Sequence, residues 1–221
     1  MSDGGSLLPI FPLGTVLFPG GALPLQIFEE RYKLMINRCI DERRAFGVVL
    51  IKAGVEVGGD AVPHGVGTTA RIARVERLPQ GRFNLLTVGV DRFRILDADR
   101  SQPYLQATVE FLERPDASEE TTAAAAARVS ALFSDHYRWT LQLGDQWTRH
   151  VSLPSRPEML ADFIASRLEV EVSVKQELLE TRTVRGCLER EERILDQTNR
   201  LLLARVQAQQ QQKYGGFGAT N

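Results

Sequence analysis

The sequence predicts an α+β protein in which a small barrel of strands comes first and a set of helices follows. Two patterns carry that prediction. Up to about residue 115, short apolar runs alternate with proline- and glycine-rich turns, the signature of closely spaced strands. From residue 118 the apolar residues recur at helical spacing, and alanine, glutamate and leucine become abundant. Composition supports a globular chain able to bury a core: 221 residues, 43% hydrophobic and 25% charged, with 27 Lys and Arg against 28 Asp and Glu.

Taken in order, residues 7–11 form an apolar run closed by Pro12, and residues 15–18 a second one closed by Pro19, Gly20 and Gly21. Both are read as strands. Over residues 29–43 the period changes: Tyr32, Ile36, Cys39 and Ile40 lie on one face with charges between them, which predicts a helix. Residues 46–51 are uninterruptedly apolar and of strand length, which suits a strand buried on both faces. The glycines of residues 53–67 predict a loop. Residues 68–78 and 82–90 are two strands joined at Pro79, Gln80 and Gly81, a hairpin. Residues 92–96 and 104–112 supply two more. So many short strands in about 110 residues imply a closed or half-closed barrel, because closure removes exposed edges.

Ser118, followed by Glu119, Glu120 and an alanine run, opens a helix with acidic residues at its positive end. Val129, Leu132, Phe133 and His136 continue one face, and Gly144 ends it. Ser155, Pro157 and Glu158 mark the next helix start, with Met159, Leu160, Phe163, Ile164 and Leu168 as its apolar face. Ser173 to Gln176 resembles a capping box that opens the longest helix, to about Val206, with apolar pairs every seven residues. The expected organisation is a flexible start (1–6), a barrel subdomain (7–115), a helical subdomain (116–206) and a disordered Gln/Gly-rich tail (207–221).

Chemistry is mainly excluded. Gly-x-Ser-x-Gly and the phosphate-binding Gly-x-x-x-x-Gly-Lys-Ser/Thr loop are both absent from the sequence. His64, His136 and His150 have no zinc spacing, and Cys39 and Cys187 read as buried thiols acting as small hydrophobes. No cofactor and no metal is expected, and no catalytic residue. Residues 4–28 carry no charge, but Pro9, Pro12, Pro19 and Pro24 forbid a spanning helix, so no membrane partner is expected and the cytoplasm is the expected location. The balanced charge disfavours nucleic acid. Arg71, Arg74, Arg77, Arg82, Arg92 and Arg94 lie near the hairpin, but Arg71 and Arg74 differ by an odd number, so alternation splits them between faces.

The opening residues LPIFPLGTVLFPGGALPLQIFEERYKLMI resemble the start of the Lon-protease N-terminal, substrate-binding domain. The stretch VGTTARIARVERLPQGRFNLLTVGVDRFRI is similar to that family's second block, and ADFIASRLEVEVSVKQELLETRTVRGCLER to the helical half that follows. The likeness runs from about Leu7 to Val206. It implies a PUA-like pseudo-barrel of mostly antiparallel strands with one packed helix, then a small helical bundle ending in a long helix. In full-length Lon proteases an ATPase and a Ser-Lys protease domain come next. Neither is expected here, so no enzyme activity is carried over.

What the resemblance implies is a bacterial, non-catalytic module of protein quality control that binds unfolded or partly folded polypeptides, with a separate protease or chaperone as a further partner. Phe18, Pro19, Pro24 and Phe28 would supply the apolar binding surface, and Glu30, Arg31 and Tyr32 match the family position beside it. Three other readings stand against this one: an RNA-binding PUA-like module, an adaptor or oligomer-former acting through the long helix, and an enzyme assembled from Asp97, Asp99, His64 and Arg71. The expected state is a monomer or weak dimer.

Overall fold

A computed structural model describes residues 6–56, 58, 61–116, 118–144, 146 and 151–214. The chain forms two compact units, Met1–Glu113 with Ala165–Thr181, and Arg114–Ile164 with Arg182–Asn221.

Among the described residues the first unit is built on six strands: β1 (Ser6–Leu13), β2 (Ala22–Ile27), β3 (Phe46–Ala53), β4 (Val62–Arg77), β5 (Phe83–Asp99) and β6 (Gln106–Phe111), with helix α1 (Glu30–Asp41) between β2 and β3. Their order in the sheet is β2-β5-β4-β3-β1-β6, and β5 also pairs with β6. That last pairing closes a ring of β5, β4, β3, β1 and β6. It is possible because β5 is long: residues from Phe83 to Val88 pair with β2, and those from Phe93 to Asp99 pair with β6. All pairings are antiparallel except β1 with β3, which run parallel because β2 and α1 form the crossover between them.

The apolar run of β3 is buried on both faces, as its composition predicts. Phe46 and Val48 join α1 residues Tyr32, Met35, Ile36 and Cys39 in one core, while Val49 joins Ile10, Phe93 and Val109 in the other. Several expectations change. Residues 15–18 are not a strand but the start of a loop, and the strand of this region is β2, in which Pro24 sits. The loop expected over 53–67 is shorter, since β4 begins at Val62. The expected strands 82–90 and 92–96 are one continuous strand, β5.

Among the described residues four helices follow: α2 (Glu120–Leu143), α3 (Pro157–Arg167), α4 (Val172–Glu180) and α5 (Val184–Tyr214). The long helix expected from Ser173 onwards is therefore two helices. The chain breaks at Thr181 and restarts because Asp116 accepts hydrogen bonds from the backbone N–H of Val184 (2.6 Å) and Arg185 (2.9 Å), capping α5 from far away in sequence. Helix α5 runs beyond Val206 to Tyr214; alanine and glutamine in this stretch favour a helix, contrary to the expected disorder. The remainder of that tail, 215–221, and residues 1–5 of the expected flexible start lie outside the described residues.

Helix α4 belongs to the first unit, whereas the sequence groups it with the later helices. Leu178 and Leu179 are fully buried, Gln176 donates to the Val66 carbonyl of β4 (3.0 Å), and the buried Arg92 of β5 donates to the carbonyls of Leu179 (2.8 Å) and Thr181 (3.0 Å). In the second unit Phe133 of α2 meets Phe163 of α3 edge-on at 6.0 Å, and Arg114 pairs with Asp162 at 2.9 Å. Asn199 of α5 donates to the Leu132 carbonyl and bonds His136 at 2.9 Å, setting the register of α5 against α2. Both cysteines are buried free thiols. Among the described residues no helix is long and apolar enough to cross a membrane.

Candidate functional site

The site is built from the segment that precedes α1. Phe18, Pro19, Gly20 and Gly21 form a type II turn: Pro19 fits the second position, Gly20 takes φ 73° at the third, and the Gly21 N–H donates to the Phe18 carbonyl at 2.9 Å. The turn is sealed onto β5 by bonds from Gly20 N–H to the Gly89 carbonyl (2.8 Å) and from Gly89 N–H to the Gly21 carbonyl (2.9 Å). Those bonds set the phase of β2. Residues at odd positions, Leu23, Leu25 and Ile27, turn their backbone groups towards β5. Ala22, Pro24 and Gln26 turn theirs to the open edge of the sheet. Pro24 has no N–H to offer there, which blunts the edge against indiscriminate pairing while leaving its carbonyl available.

The register defines an outward face in three cross-strand rows. Ala22, Val88 and Arg71 form the first; Pro24, Leu86 and Arg74 the second; Gln26, Asn84 and Glu76 the third. Alternation would separate Arg71 from Arg74. A bulge between Ile72 and Arg74 adds a residue to β4 and returns both arginines to one face. The opposite face of the same three strands carries Leu25, Ile72, Phe83 and Leu85, which pack in the core beneath α1.

The residues expected to bind divide in two. Phe18 is 1% exposed and Tyr32 4% exposed, so both are core residues that shape the site from within. Burial holds the Tyr32 phenol up at about 12. Pro24 and Glu30 are exposed, Pro19 and Arg31 are half-buried, and Phe28 is 55% exposed just past the end of β2. Glu30 pairs with Lys33 at 2.7 Å. Arg31 pairs with Glu29 at 2.9 Å, donates to the Glu56 carbonyl at 3.1 Å, and lies 4.4 Å above the Tyr32 ring centre.

A cavity of about 400 Å³ opens at the start of α1, lined by Glu29, Arg31, Tyr32, Arg100, Gln102 and Tyr104 among others. Its polar groups are engaged with one another and with backbone: Arg38 donates to the Tyr104 hydroxyl (2.9 Å) and Arg100 to the Ala61 carbonyl (3.1 Å). Asp97, Asp99, His64 and Arg71, the set considered for an enzyme, have separate settings. Asp99 accepts from Ser101, which lowers its pKa; His64 faces Glu180 at 3.5 Å; Asp97 sits opposite Thr108; and Arg71 sits opposite Val88. Among the described residues no group of three or more His, Cys, Asp and Glu side chains is placed to hold a metal.

Comparison with known families decides the relationship. Residues 7–197 match the model described as the ATP-dependent protease La (LON) substrate-binding domain. The chain belongs to the LON substrate-binding domain family. Among its relatives, a Lon protease of Anaeromyxobacter dehalogenans is 30% identical over 206 residues, and Lon protease 2 of Myxococcus xanthus is 30% identical over 205. These matches cover 89% and 88% of this chain but 24% and 25% of the relatives, so the chain spans about a quarter of their length. The fold is that of Lon N-terminal domains. The Xanthomonas campestris Lon N-terminal domain protein matches with a TM-score of 0.60 at 24% identity, over 83% of this chain and 95% of that one. The N-terminal domain of the Mycobacterium avium complex Lon protease matches with 0.63 at 19% identity, over 86% and 98%.

The LON-domain resemblance points in sequence to the 18–32 segment. Leu86, Arg71 and Arg74 lie outside it and come to the same surface only through strand register and a bulge. Leu86 follows the core residue Leu85 directly, so nothing in the sequence marks it as the outward one of the two.

Proposed function

We propose that this chain binds unfolded or partly folded polypeptide without performing chemistry on it. The observation that supports the reading most directly is the open edge of β2, with the exposed Phe28 just past its end. An extended chain can pair with such an edge through its own backbone, which gives affinity with little demand on sequence, while apolar side chains settle against exposed rings. Pro19, Pro24, Phe28, Glu30 and Arg31 are the surface residues of this reading; Phe18 and Tyr32 act beneath it. The cavity at the start of α1 has room for a side chain of the bound segment. Membership in the LON substrate-binding domain family supports the same role. The reading extends to a PUA-like barrel acting in protein quality control in the bacterial cytoplasm, with a separate protease or chaperone receiving the bound chain.

The test is a titration of the purified protein against a permanently unfolded, reduced and carboxymethylated polypeptide, followed by fluorescence anisotropy. Saturable binding in the micromolar range is expected, unaffected by ATP. Phe28→Ser should weaken it by about tenfold, as the loss of one aromatic anchor does. An anisotropy that stays flat up to high micromolar protein ends the proposal.

A further inference from the structure

We propose that the outward face of β2, β5 and β4 selects extended polypeptide segments that carry carboxylates among their apolar residues. The inference rests on the polypeptide-binding reading and adds a substrate class to it.

Four observations converge on this face. Its centre is apolar: Pro24 and Leu86 share one row, Ala22 and Val88 the next, and Leu86 is 40% exposed. Its β4 side is basic: Arg71 and Arg74 end those same two rows and are exposed. Neither guanidinium has a hydrogen bond, ion pair or ring contact among the described residues. Their neighbours do: Arg77 reaches Asn37 and the Phe83 ring, Arg82 the Pro79 carbonyl, and Arg94 pairs with Glu110. Finally, the face's one acid stands in the third row, where Glu76 accepts a hydrogen bond from Asn84 at 3.0 Å.

The bulge is what makes the pair. Without the extra residue between Ile72 and Arg74, one of the arginines would turn towards α1. With it, the two stand in adjacent same-face rows, about 7 Å apart along the strand direction, which is the spacing of alternate residues in an extended chain. Carboxylates at alternate positions of a bound segment can therefore meet both guanidiniums, each with the fork geometry that arginine offers. When the segment lies over Leu86 and Val88 of β5 with its side chains spread along the sheet, its carboxylates turn to β4 and its intervening apolar residues the opposite way, to Ala22 and Pro24 of β2. The overall charge of −1 gives no general attraction for acidic chains, so any preference must come from this local pair.

The experiment compares three labelled peptides of matched length and leucine content, in which the intervening positions are aspartate, serine or lysine. The full chain should bind the aspartate peptide about tenfold more tightly than the serine peptide, and the lysine peptide least, with the differences shrinking as salt is raised. The double variant Arg71→Ser/Arg74→Ser should bind all three alike, with the serine-peptide affinity unchanged and the circular dichroism of the parent retained. Equal binding of the aspartate and serine peptides by the parent chain, or a preference that survives in the double variant, overturns the inference and leaves polypeptide binding standing. Failure of all three peptides to bind overturns the underlying reading instead. Displacement of the aspartate peptide by equimolar single-stranded RNA would show that the arginines serve phosphates, and would also overturn the inference.

Discussion

Gly89 shows how tightly one residue can fix this site. A Cβ there would run into the Phe18 carbonyl and sit 3.1 Å from Leu17 Cγ, because the type II turn presses directly on β5. Neither backbone can give way without breaking the Gly20–Gly89–Gly21 bonds that phase β2. Gly89→Ala is expected to cost about 2–3 kcal/mol in a urea melt, within the range of overpacking. Gly65→Ala, where nothing lies within 4 Å, should be near neutral. A Gly89→Ala protein as stable as the parent would refute the close approach. Cys39 offers a second residue-level test. Burial raises its thiol from 9.0 to about 11, so at pH 8 it should resist a disulfide reagent until the protein is unfolded. The same shift has a sign for stability. The unfolded thiol ionises before the folded one, so the contribution is complete below about pH 9 and is lost as pH rises through 11. Tyr32 repeats the pattern between 10 and about 12. Melts repeated at rising pH should show a decline beginning near pH 9; a flat profile to pH 11 would contradict it.

At the level of elements, the start of α5 is the most testable feature. Its first turn depends on the Asp116 carboxylate, which accepts from two adjacent backbone N–H groups, and on the Thr183 hydroxyl, which accepts from Gly186 N–H at 3.1 Å. Asp116→Ala is expected to destabilise the second unit by about 1–2 kcal/mol and to raise amide exchange in the first turn of α5. Unchanged exchange at Val184 and Arg185 would show that the cap is not needed. The same cap explains what could be read from sequence and what could not. Strands with a clear period or a continuous apolar run, such as β3 and the β4–β5 hairpin, were legible because their burial is set locally. The segment proposed to bind is singled out in the sequence by its prolines, its glycines and the family likeness. The split between α4 and α5 was hidden because no proline or glycine lies in the break itself, residues 181–183, and because Asp116, the carboxylate that caps α5, lies before α2, which leaves Thr183 as the single local cap. The pairing of Arg71 with Arg74 was hidden for a related reason: a bulge is a fact about two strands, and counting along one gives the wrong face.

On the scale of the whole molecule, the order of the chain differs from the order of its cores. The first unit is not complete at residue 113, because α4 returns to it after α2 and most of α3. That helix contributes Leu178 and Leu179, each 1% exposed, and the carbonyls that receive the Arg92 guanidinium. Burial of two leucines is worth about 3–6 kcal/mol, a large share of the roughly 5–15 kcal/mol that stabilises a domain. A fragment of residues 1–115, cut where composition changes from strand to helix, should therefore lose most of its margin even though it holds every strand. Arg92 and the Val66 carbonyl would pass from satisfied burial into solvent, and the barrel face beneath α4 would be left apolar and open. The fragment is expected to unfold at a much lower urea concentration than the full chain, with poor protection of β4 and β5 amides and binding of a hydrophobic dye. A fragment of residues 1–181 should regain protection in β4 and β5, because it restores α4. If residues 1–115 instead melt cooperatively at the midpoint of the full chain, the barrel stands on its strands alone and α4 is an accessory.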